Sequence, residues 1–344
     1  MKGKIGWLLA AALLVVFLLT GCQGQKEGTP TGKKIARPEG SRPVRVGVVL
    51  SFPRGDKGTS DGVIAGLTKA QDELGIEFRV IEPGQLVDEE EALRYLAENN
   101  YDLVIGVGYK TVKPLRRVAP EYPDINFALV DEELAQPNVI SLRFREEEGS
   151  FLAGVMAALL TRSGTVGFIG GADMDLIRRY ERGFRQGVEY VNGTDAKKAK
   201  VLVNYAGVTE DAFNDPLLGE NHARQQVEAG ADVIYHAARN TSAGIIKVAR
   251  EKRRLVIGSD VNQNEEAPGT VTASMVKRVD VMVYRTVEKL CKGELERGAT
   301  LSFGLAEGGV DLVPAAGVPE GVWRRIEETK GKIVKGEIKV QAQG

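Results

Sequence analysis

The stretch that decides the fold, Val46–Ala70, reads VGVVLSFPRGDKGTSDGVIAGLTKA. Its first residues, Val46–Leu50, are apolar and rich in valine, a pattern that predicts a buried strand. A loop of glycines and charged residues follows, and Ser60, a residue type that caps helix N-termini, begins a helical pattern. A strand, a loop and a helix in this order form one βα unit, and α/β proteins bind ligands at such loops.

The same unit recurs along the chain, because apolar runs of strand length alternate with helical patterns. The predicted strands are Val44–Leu50, Glu77–Ile81, Leu103–Val107, Asn126–Val130, Thr165–Ile169, Lys200–Asn204, Asp232–Tyr235, Leu255–Ile257 and Val271–Ser274. The predicted helices are Ser60–Leu74, Asp88–Asn99, Thr111–Glu121, Glu147–Thr161, Asp175–Val191, Pro216–Ala229, Ser242–Lys252 and Lys277–Lys292. Such alternation predicts parallel sheets covered by helices on both faces.

One sheet with this many strands is uncommon, so we predict an α/β fold of two doubly wound, Rossmann-like lobes with a cleft between them. The N-terminal lobe is expected to comprise residues 44–144 plus 270–295. The C-terminal lobe is expected to comprise residues 145–258 plus 298–335. The chain then crosses between the lobes near residues 143–146, 258–270 and 295–300, and these crossings are candidate hinges.

The N-terminus has the features of an exported lipoprotein. Residues 1–22 combine two early lysines with an apolar run, Ile5–Leu19, that is shorter than the about 20 residues of a spanning helix. The run ends in Leu-Thr-Gly before Cys22, which resembles a bacterial lipobox and predicts lipidation of Cys22. Residues 23–43 contain proline, glycine and charge without apolar periodicity, and predict a flexible tether.

Composition excludes several function classes. The chain has 344 residues and a formal net charge of −1, with no basic stripe, so nucleic acid is not an expected partner. It has 2 histidines and lacks a catalytic triad, a P-loop and a metal-ligand motif. We therefore expect neither an enzyme nor a resident metal or cofactor.

Several pieces of the chain resemble the basic membrane protein family of lipoproteins. They are DLVIGVGY, YPDINFALVD, NVISLRFREEEGSFLAGVMAALLTRSGTVGFIGGADMDLIRRYERGFRQGVEYVNG, ADVIYHAARNTSAG, VIGSDVNQ, TASMVKRVDVMVY and GLAEGGVDL. The pieces keep family order from about Val44 to Val313. The resemblance implies a type I periplasmic-binding-protein fold and a substrate-binding lipoprotein of an ABC importer, typically for purine nucleosides.

The resemblance also implies ligand-binding residues. Asp260 matches a family aspartate at a strand end, where a carboxylate can accept from ribose hydroxyls. Lys277 matches a lysine that can donate to a hydroxyl or a ring nitrogen, and Asp131 matches an aspartate after the fourth strand. Tyr235 matches an aromatic residue suited to stacking on a base, and Tyr109 is a second aromatic residue at a strand end. The segment EEEGSFLAG is interpreted as scaffold and hinge.

The opening loop departs from the family pattern. Thr59 and Ser60 stand where the family has a phenylalanine and an asparagine that hold the base. Candidate ligand residues from this loop are Ser51, Phe52, Asp56 and Ser60, and Phe52 is a possible substitute for the lost ring. Arg239 replaces a glycine, and its donor fork would favour an anionic or strongly polar ligand if it enters the cleft.

The sequence therefore predicts a monomeric lipoprotein on the extracytoplasmic face of the cell membrane. Its expected partners are a small polar solute, with a nucleoside favoured, an ABC permease and the membrane that holds its lipid anchor. An alternative is a ligand-sensing or regulatory lipoprotein on the same fold, because a fold does not fix a function.

Overall fold

The computed structural model describes residues 42–82, 88–196 and 198–343. The predicted signal peptide, residues 1–22 with Cys22, and the tether up to residue 41 lie outside these ranges. None of the described helices is long and apolar enough to cross a membrane.

The described residues form twelve strands and nine α-helices. The strands are β1 (Arg45–Val49), β2 (Glu77–Ile81), β3 (Leu103–Val107), β4 (Asn126–Val130), β5 (Val139–Phe144), β6 (Thr165–Ala172), β7 (Lys200–Gly207), β8 (Val233–Ala237), β9 (Leu255–Asp260), β10 (Val271–Lys277), β11 (Thr300–Phe303) and β12 (Val310–Pro314). The helices are α1 (Thr59–Leu74), α2 (Glu89–Glu98), α3 (Val112–Val118), α4 (Glu146–Leu160), α5 (Asp175–Thr194), α6 (Pro216–Glu228), α7 (Ser242–Glu251), α8 (Val279–Lys292) and α9 (Glu320–Val334).

The strands build two six-stranded sheets, which confirms the predicted two-lobed α/β fold. The first sheet has the order β11-β5-β4-β3-β1-β2, and the second has the order β12-β10-β9-β8-β6-β7. All neighbouring strands run parallel except β12, which runs antiparallel to β10. The edge strands β2 and β7 are partly exposed, whereas the central strands β3, β6 and β8 are buried along their whole length.

Four elements were not predicted from the sequence: β5, β11, β12 and α9. Strand β5 joins β4 through a loop without a helix, so the alternation of strands and helices did not reveal it. Strand β11 is short and half exposed, and β12 is the antiparallel strand at the edge of its sheet. Short edge strands carry little apolar periodicity, which explains why β11 and β12 were not predicted.

The chain crosses between the sheets in three places. The first crossing, at Arg145 between β5 and α4, agrees with the predicted segment. The second lies at Arg278, between β10 and α8, and the third spans residues 304–309, between β11 and β12. The predicted crossings near 258–270 and 295–300 were therefore wrong, because alternation indicates a strand but not the sheet that receives it.

Backbone hydrogen bonds join the three crossings side by side. The N–H of Arg145 donates to the carbonyl of Phe303 at 3.1 Å, and the N–H of Arg278 donates to the carbonyl of Gly309 at 2.7 Å.

Strand β10 belongs to the second sheet although residues 270–295 were predicted in the first lobe, and β11 belongs to the first sheet although residues 298–335 were predicted in the second. The remaining lobe boundaries stay a prediction.

Helices α4 and α5 pack together through glycines. A Cβ atom on Gly187 would lie 2.0 Å from the carbonyl oxygen of Phe151, and one on Gly154 would lie 2.1 Å from the carbonyl oxygen of Phe184. Gly149 instead faces the second sheet, where its Cβ would lie 2.7 Å from Met275 Cγ. The glycines allow the buried helix α4 to sit close to both a sheet and a helix.

We expect Gly187→Ala to lower the free energy of unfolding by about 3 kcal/mol, because two helix backbones must separate to admit the methyl group. Gly193→Ala is the matched control on the same helix, since its Cβ would meet nothing within 4 Å. Urea unfolding of both variants measures the difference. An equal stability for the two variants would contradict the close packing of α4 on α5.

Candidate functional site

Loops at the carboxyl ends of both sheets contain residues with left-handed backbone angles. The φ angles are +69° at Asp131 after β4, +67° at Asp260 at the end of β9 and +46° at Arg239 after β8. Such angles are uncommon for residues other than glycine, and they cluster at functional sites. Three predicted ligand residues are thus held in strained positions at the edges where ligands bind in α/β proteins.

An ion pair between Lys277 and Asp131 joins the two sheets. Lys277 ends β10 of the second sheet, Asp131 follows β4 of the first, and Lys277 Nζ lies 2.6 Å from Asp131 Oδ2. The Lys277 side chain is 8% exposed. Burial alone would lower the pKa of this ammonium, but nearby carboxylates, Asp131 first, raise it above its usual value. Lys277 is therefore a buried cation close to several carboxylates.

Asp260 is oriented by Tyr180, which lies near the start of α5. The Tyr180 hydroxyl donates a short hydrogen bond to Asp260 Oδ1. Burial raises the pKa of Tyr180 well above its usual value, and the negative charge of Asp260 adds to this effect. A tyrosine that stays protonated can hold the aspartate in one orientation as a hydrogen-bond acceptor.

Glu146, the first residue of α4, lies next to Lys277. Its side chain is fully buried, with Oε2 at 3.1 Å from Arg179 Nε and Oε1 at 3.9 Å from Lys277 Nζ. Burial raises the pKa of Glu146 to about 7 against the lowering effect of both cations. Burial and the neighbouring Asp131 also raise the pKa of Glu132. We call Asp131, Glu132, Glu146, Arg179, Tyr180, Asp260 and Lys277 the inner cluster.

A second group of side chains, the outer cluster, consists of Phe52, Tyr109, Lys110 and Arg239. The ring centroids of Phe52 and Tyr109 are 6.2 Å apart. Arg239 Cζ lies 5.2 Å from the Phe52 ring centroid, and Lys110 Nζ lies 5.7 Å from it. Phe52 belongs to the first lobe and Arg239 to the second, so the contact between these two side chains also joins the lobes, whereas Lys110 lies in the same lobe as Phe52.

Two predicted ligand residues of the opening loop instead hold the loop itself. The Asp56 carboxylate accepts from the N–H groups of Gly58, Ser60 and Asp61 at 2.9–3.2 Å, and so caps α1. The Ser60 hydroxyl donates to the Phe52 carbonyl at 2.9 Å and is fully buried. The expected cap at Ser60 was therefore wrong, and we place Asp56 and Ser60 outside the candidate site. Ser51 is also buried, and its hydroxyl makes no hydrogen bond to the residues that the structure describes.

Tyr235 lies in the aromatic core. Its ring centroid is 5.3 Å from that of Phe184 and 5.7 Å from that of Phe168, and its hydroxyl is 2.9 Å from Ser150 Oγ. The residue is fully buried. These neighbours occupy its surroundings, so the structure favours a packing role over base stacking.

Sequence reasoning did not identify Glu132, Glu146, Arg179 and Tyr180. Glu146 was within the segment interpreted as scaffold, and helix-starting glutamates usually suit the helix dipole. The position of Glu146 could have indicated its role, because it follows the carboxyl end of β5, and Asp131 follows the carboxyl end of the neighbouring strand β4. Because β5 itself was not predicted, this signal was not usable.

Comparison with known proteins identifies one family and several related lipoproteins. Residues 43–344 match the Bmp family model, described as ABC transporter substrate-binding protein PnrA-like. The chain is 31% identical to an uncharacterized lipoprotein of Pyrococcus furiosus, over 97% of this chain and 88% of that protein. It is 28% identical to basic membrane protein A2 of Borrelia garinii, over 86% of this chain and 87% of that protein.

A solved structure supports the fold. The chain is similar to an ABC transporter system solute-binding protein from Aeropyrum pernix K1, with a TM-score of 0.69 and 30% identity. The match covers 88% of this chain and 94% of that chain. The matched family and the solved structure are described as substrate-binding and solute-binding proteins.

Proposed function

The chain belongs to the Bmp family of PnrA-like ABC transporter substrate-binding proteins, and from this membership we propose that it binds a nucleoside between its two lobes for delivery to an ABC permease. The observation that carries the proposal is the Lys277–Asp131 pair, in which charged groups from the two sheets meet at 2.6 Å. In this proposal a solute lies between the lobes and contacts both the ionic inner cluster and the aromatic outer cluster.

In this proposal the inner cluster binds the sugar. Asp260, oriented by Tyr180, accepts hydrogen bonds from ribose hydroxyls, and Lys277 donates to a hydroxyl or ring oxygen. A ligand oxygen takes over part of the role that Asp131 has beside Lys277. The strained φ angles at Asp131 and Asp260 support the proposal, because such strain is retained where a site needs a fixed geometry.

The outer cluster contacts the base. Phe52 and Tyr109 offer aromatic faces, and stacking on an aromatic ring is worth about 1–3 kcal/mol per base. Phe52 then replaces the ring that the family has at the position of Thr59. Arg239 lies on the Phe52 ring, where it covers the base end of the cleft, rather than among the inner cluster. This position supports a neutral ligand over the anionic ligand that an arginine alone suggests.

A thermal-shift screen against nucleosides, free bases, sugars and amino acids tests the proposed ligand class. Binding stabilises the folded state by about 2.7 kcal/mol when the ligand is at 100 times its Kd. We expect the largest shift with a purine nucleoside. A larger shift with an amino acid or a hexose, and none with any nucleoside, would contradict the proposal.

We also propose that Cys22 anchors the mature protein to the extracytoplasmic face of the membrane, and that the protein acts as a monomer. Lipoprotein relatives support the anchor. We expect Cys22→Ser to remain unlipidated and to leave the membrane fraction, whereas Cys291→Ser stays anchored. Metabolic labelling with a fatty acid followed by membrane fractionation measures this. Equal labelling of Cys22→Ser and the parent protein would exclude the lipobox.

A further inference from the structure

We infer that Glu146 is an additional ligand-binding residue, whose oxygen Oε1 accepts a hydrogen bond from a hydroxyl or amino group of the solute. The inference rests on the proposed function and adds an acceptor to the site. The Glu146 side chain is fully buried, and its Oε2 pairs with Arg179 Nε at 3.1 Å. Its Oε1 makes no hydrogen bond to any residue that the structure describes.

An unpaired carboxylate oxygen is costly inside a protein. A buried acceptor without a donor loses its hydration and receives nothing in return. The Lys277 ammonium is 3.9 Å from Oε1, which is too far for a hydrogen bond. The free acceptor therefore faces the same ammonium group that is proposed to contact the solute, and a donor on that solute can satisfy it.

The charge of the inner cluster favours a donor over an acceptor. Four carboxyl groups, on Asp131, Glu132, Glu146 and Asp260, surround two cations, on Lys277 and Arg179. Carboxylates accept hydrogen bonds, and above the raised pKa of Glu146, about 7, the carboxylates outnumber the two cations and repel an added anion. The inner cluster thus suits hydroxyl and amino groups and opposes phosphate and carboxylate groups.

A purely structural Glu146 would hold Arg179 and Lys277 in place without touching the solute. The two roles differ in one respect. Loss of a structural residue weakens the binding of every analogue by a similar factor. Loss of a direct contact differs, because an analogue that lacks the contacted group then binds the variant about as well as inosine does. A cycle that combines protein variants with ligand analogues separates them.

The cycle uses calorimetric titration of inosine and its 2′-deoxy, 3′-deoxy, 5′-deoxy and N1-methyl analogues. The proteins are the parent, Glu146→Gln and the control Glu147→Gln. Glu147 is a buried glutamate on the same helix turn that also has an unpaired oxygen, Oε2, and also lies near Arg179, but it makes no ion pair with Lys277 among the described residues. Hydrogen bonds to charged groups are worth about 1.5–3 kcal/mol, so we expect at least one analogue to bind the parent about 10–100 times more weakly than inosine. In Glu146→Gln the amide oxygen stays on Arg179 Nε and the NH2 group replaces the acceptor Oε1, so the analogue that lacks the donor to Glu146 should lose less than about threefold. Glu147→Gln should behave as the parent does.

The outcomes separate this inference from the proposed function. If every analogue loses the same factor in Glu146→Gln as in the parent, the inference is overturned while nucleoside binding stands. If the parent binds no nucleoside but binds a neutral or cationic solute such as a pentose or a diamine, the proposed ligand is wrong, and the cycle is repeated with that solute and its analogues. If the parent binds inosine 5′-monophosphate or ribose 5-phosphate more tightly than inosine, the inference is overturned. If none of these ligands binds, both the inference and the proposed function are contradicted.

Discussion

Asp260→Ala is expected to weaken nucleoside binding by about 100-fold or more. Each hydrogen bond from a ligand hydroxyl to a charged acceptor contributes about 1.5–3 kcal/mol, and a factor of ten in Kd corresponds to about 1.4 kcal/mol. The alanine removes the acceptor and leaves the Tyr180 hydroxyl buried without its partner. Calorimetric titration of inosine measures the change.

Two further variants of this pair serve as controls for the Asp260 prediction. Asp260→Asn keeps the shape of the side chain and an oxygen that can accept from Tyr180, so a smaller loss is expected. Tyr180→Phe keeps the carboxylate but removes its orienting donor, and it should also cause a smaller loss than alanine. Binding by Asp260→Ala within about threefold of the parent would contradict the assigned role.

Lys277→Met is expected to lower the free energy of unfolding by about 3–5 kcal/mol and to abolish nucleoside binding. Removing one partner of a buried ion pair leaves uncompensated charge, which is far more costly than losing an exposed pair. The matched control is Lys247→Met, whose ammonium lies 2.6 Å from Glu220 Oε1 with a side chain that is 51% exposed. That control should cost less than about 1 kcal/mol.

The cost of Lys277→Met should depend on pH. The pKa of Glu146 is already raised to about 7 from an ordinary 4.5, and loss of the neighbouring cation raises it further. A carboxyl group with a raised folded-state pKa stabilises the fold below its unfolded pKa, and this contribution is lost as pH rises through the folded pKa. Lys277→Met should therefore be more destabilising at pH 8 than at pH 5.

Urea unfolding at both pH values, with Lys277→Met/Asp131→Asn as a third variant, tests this explanation. Neutralising Asp131 should restore part of the lost stability, because it removes one of the uncompensated charges. Equal costs for Lys277→Met and Lys247→Met, or no rescue by the second substitution, would contradict the buried-charge account.

The sequence predicted the layered fold well where buried strands alternate with amphipathic helices. Strands β3 and β4 have the predicted bounds, and β1 differs from its prediction by one residue at each end; the partly exposed edge strand β2 also has its predicted bounds. Prediction failed where tertiary context decides the structure: β11 is short and half exposed, and the sheet that receives β10 cannot be inferred from its own residues.

The candidate site was predictable only in part. Asp131, Asp260 and Lys277 were identified through family motifs, and the structure brings them together where the two sheets meet. Tyr180 and Glu146 were missed because their proximity depends on how α4 and α5 meet the second sheet. Conversely, Tyr235 and Asp56 have suitable residue types for binding, but local packing and helix capping occupy their side chains.

The most direct test of the central claim is calorimetric titration of inosine, guanosine and adenosine into the purified protein. We expect one binding site and a Kd of about 1 μM or tighter, equivalent to about 8 kcal/mol, for at least one of the three nucleosides. Absence of binding for all three nucleosides would contradict the claim that the cleft between the two lobes is a nucleoside site.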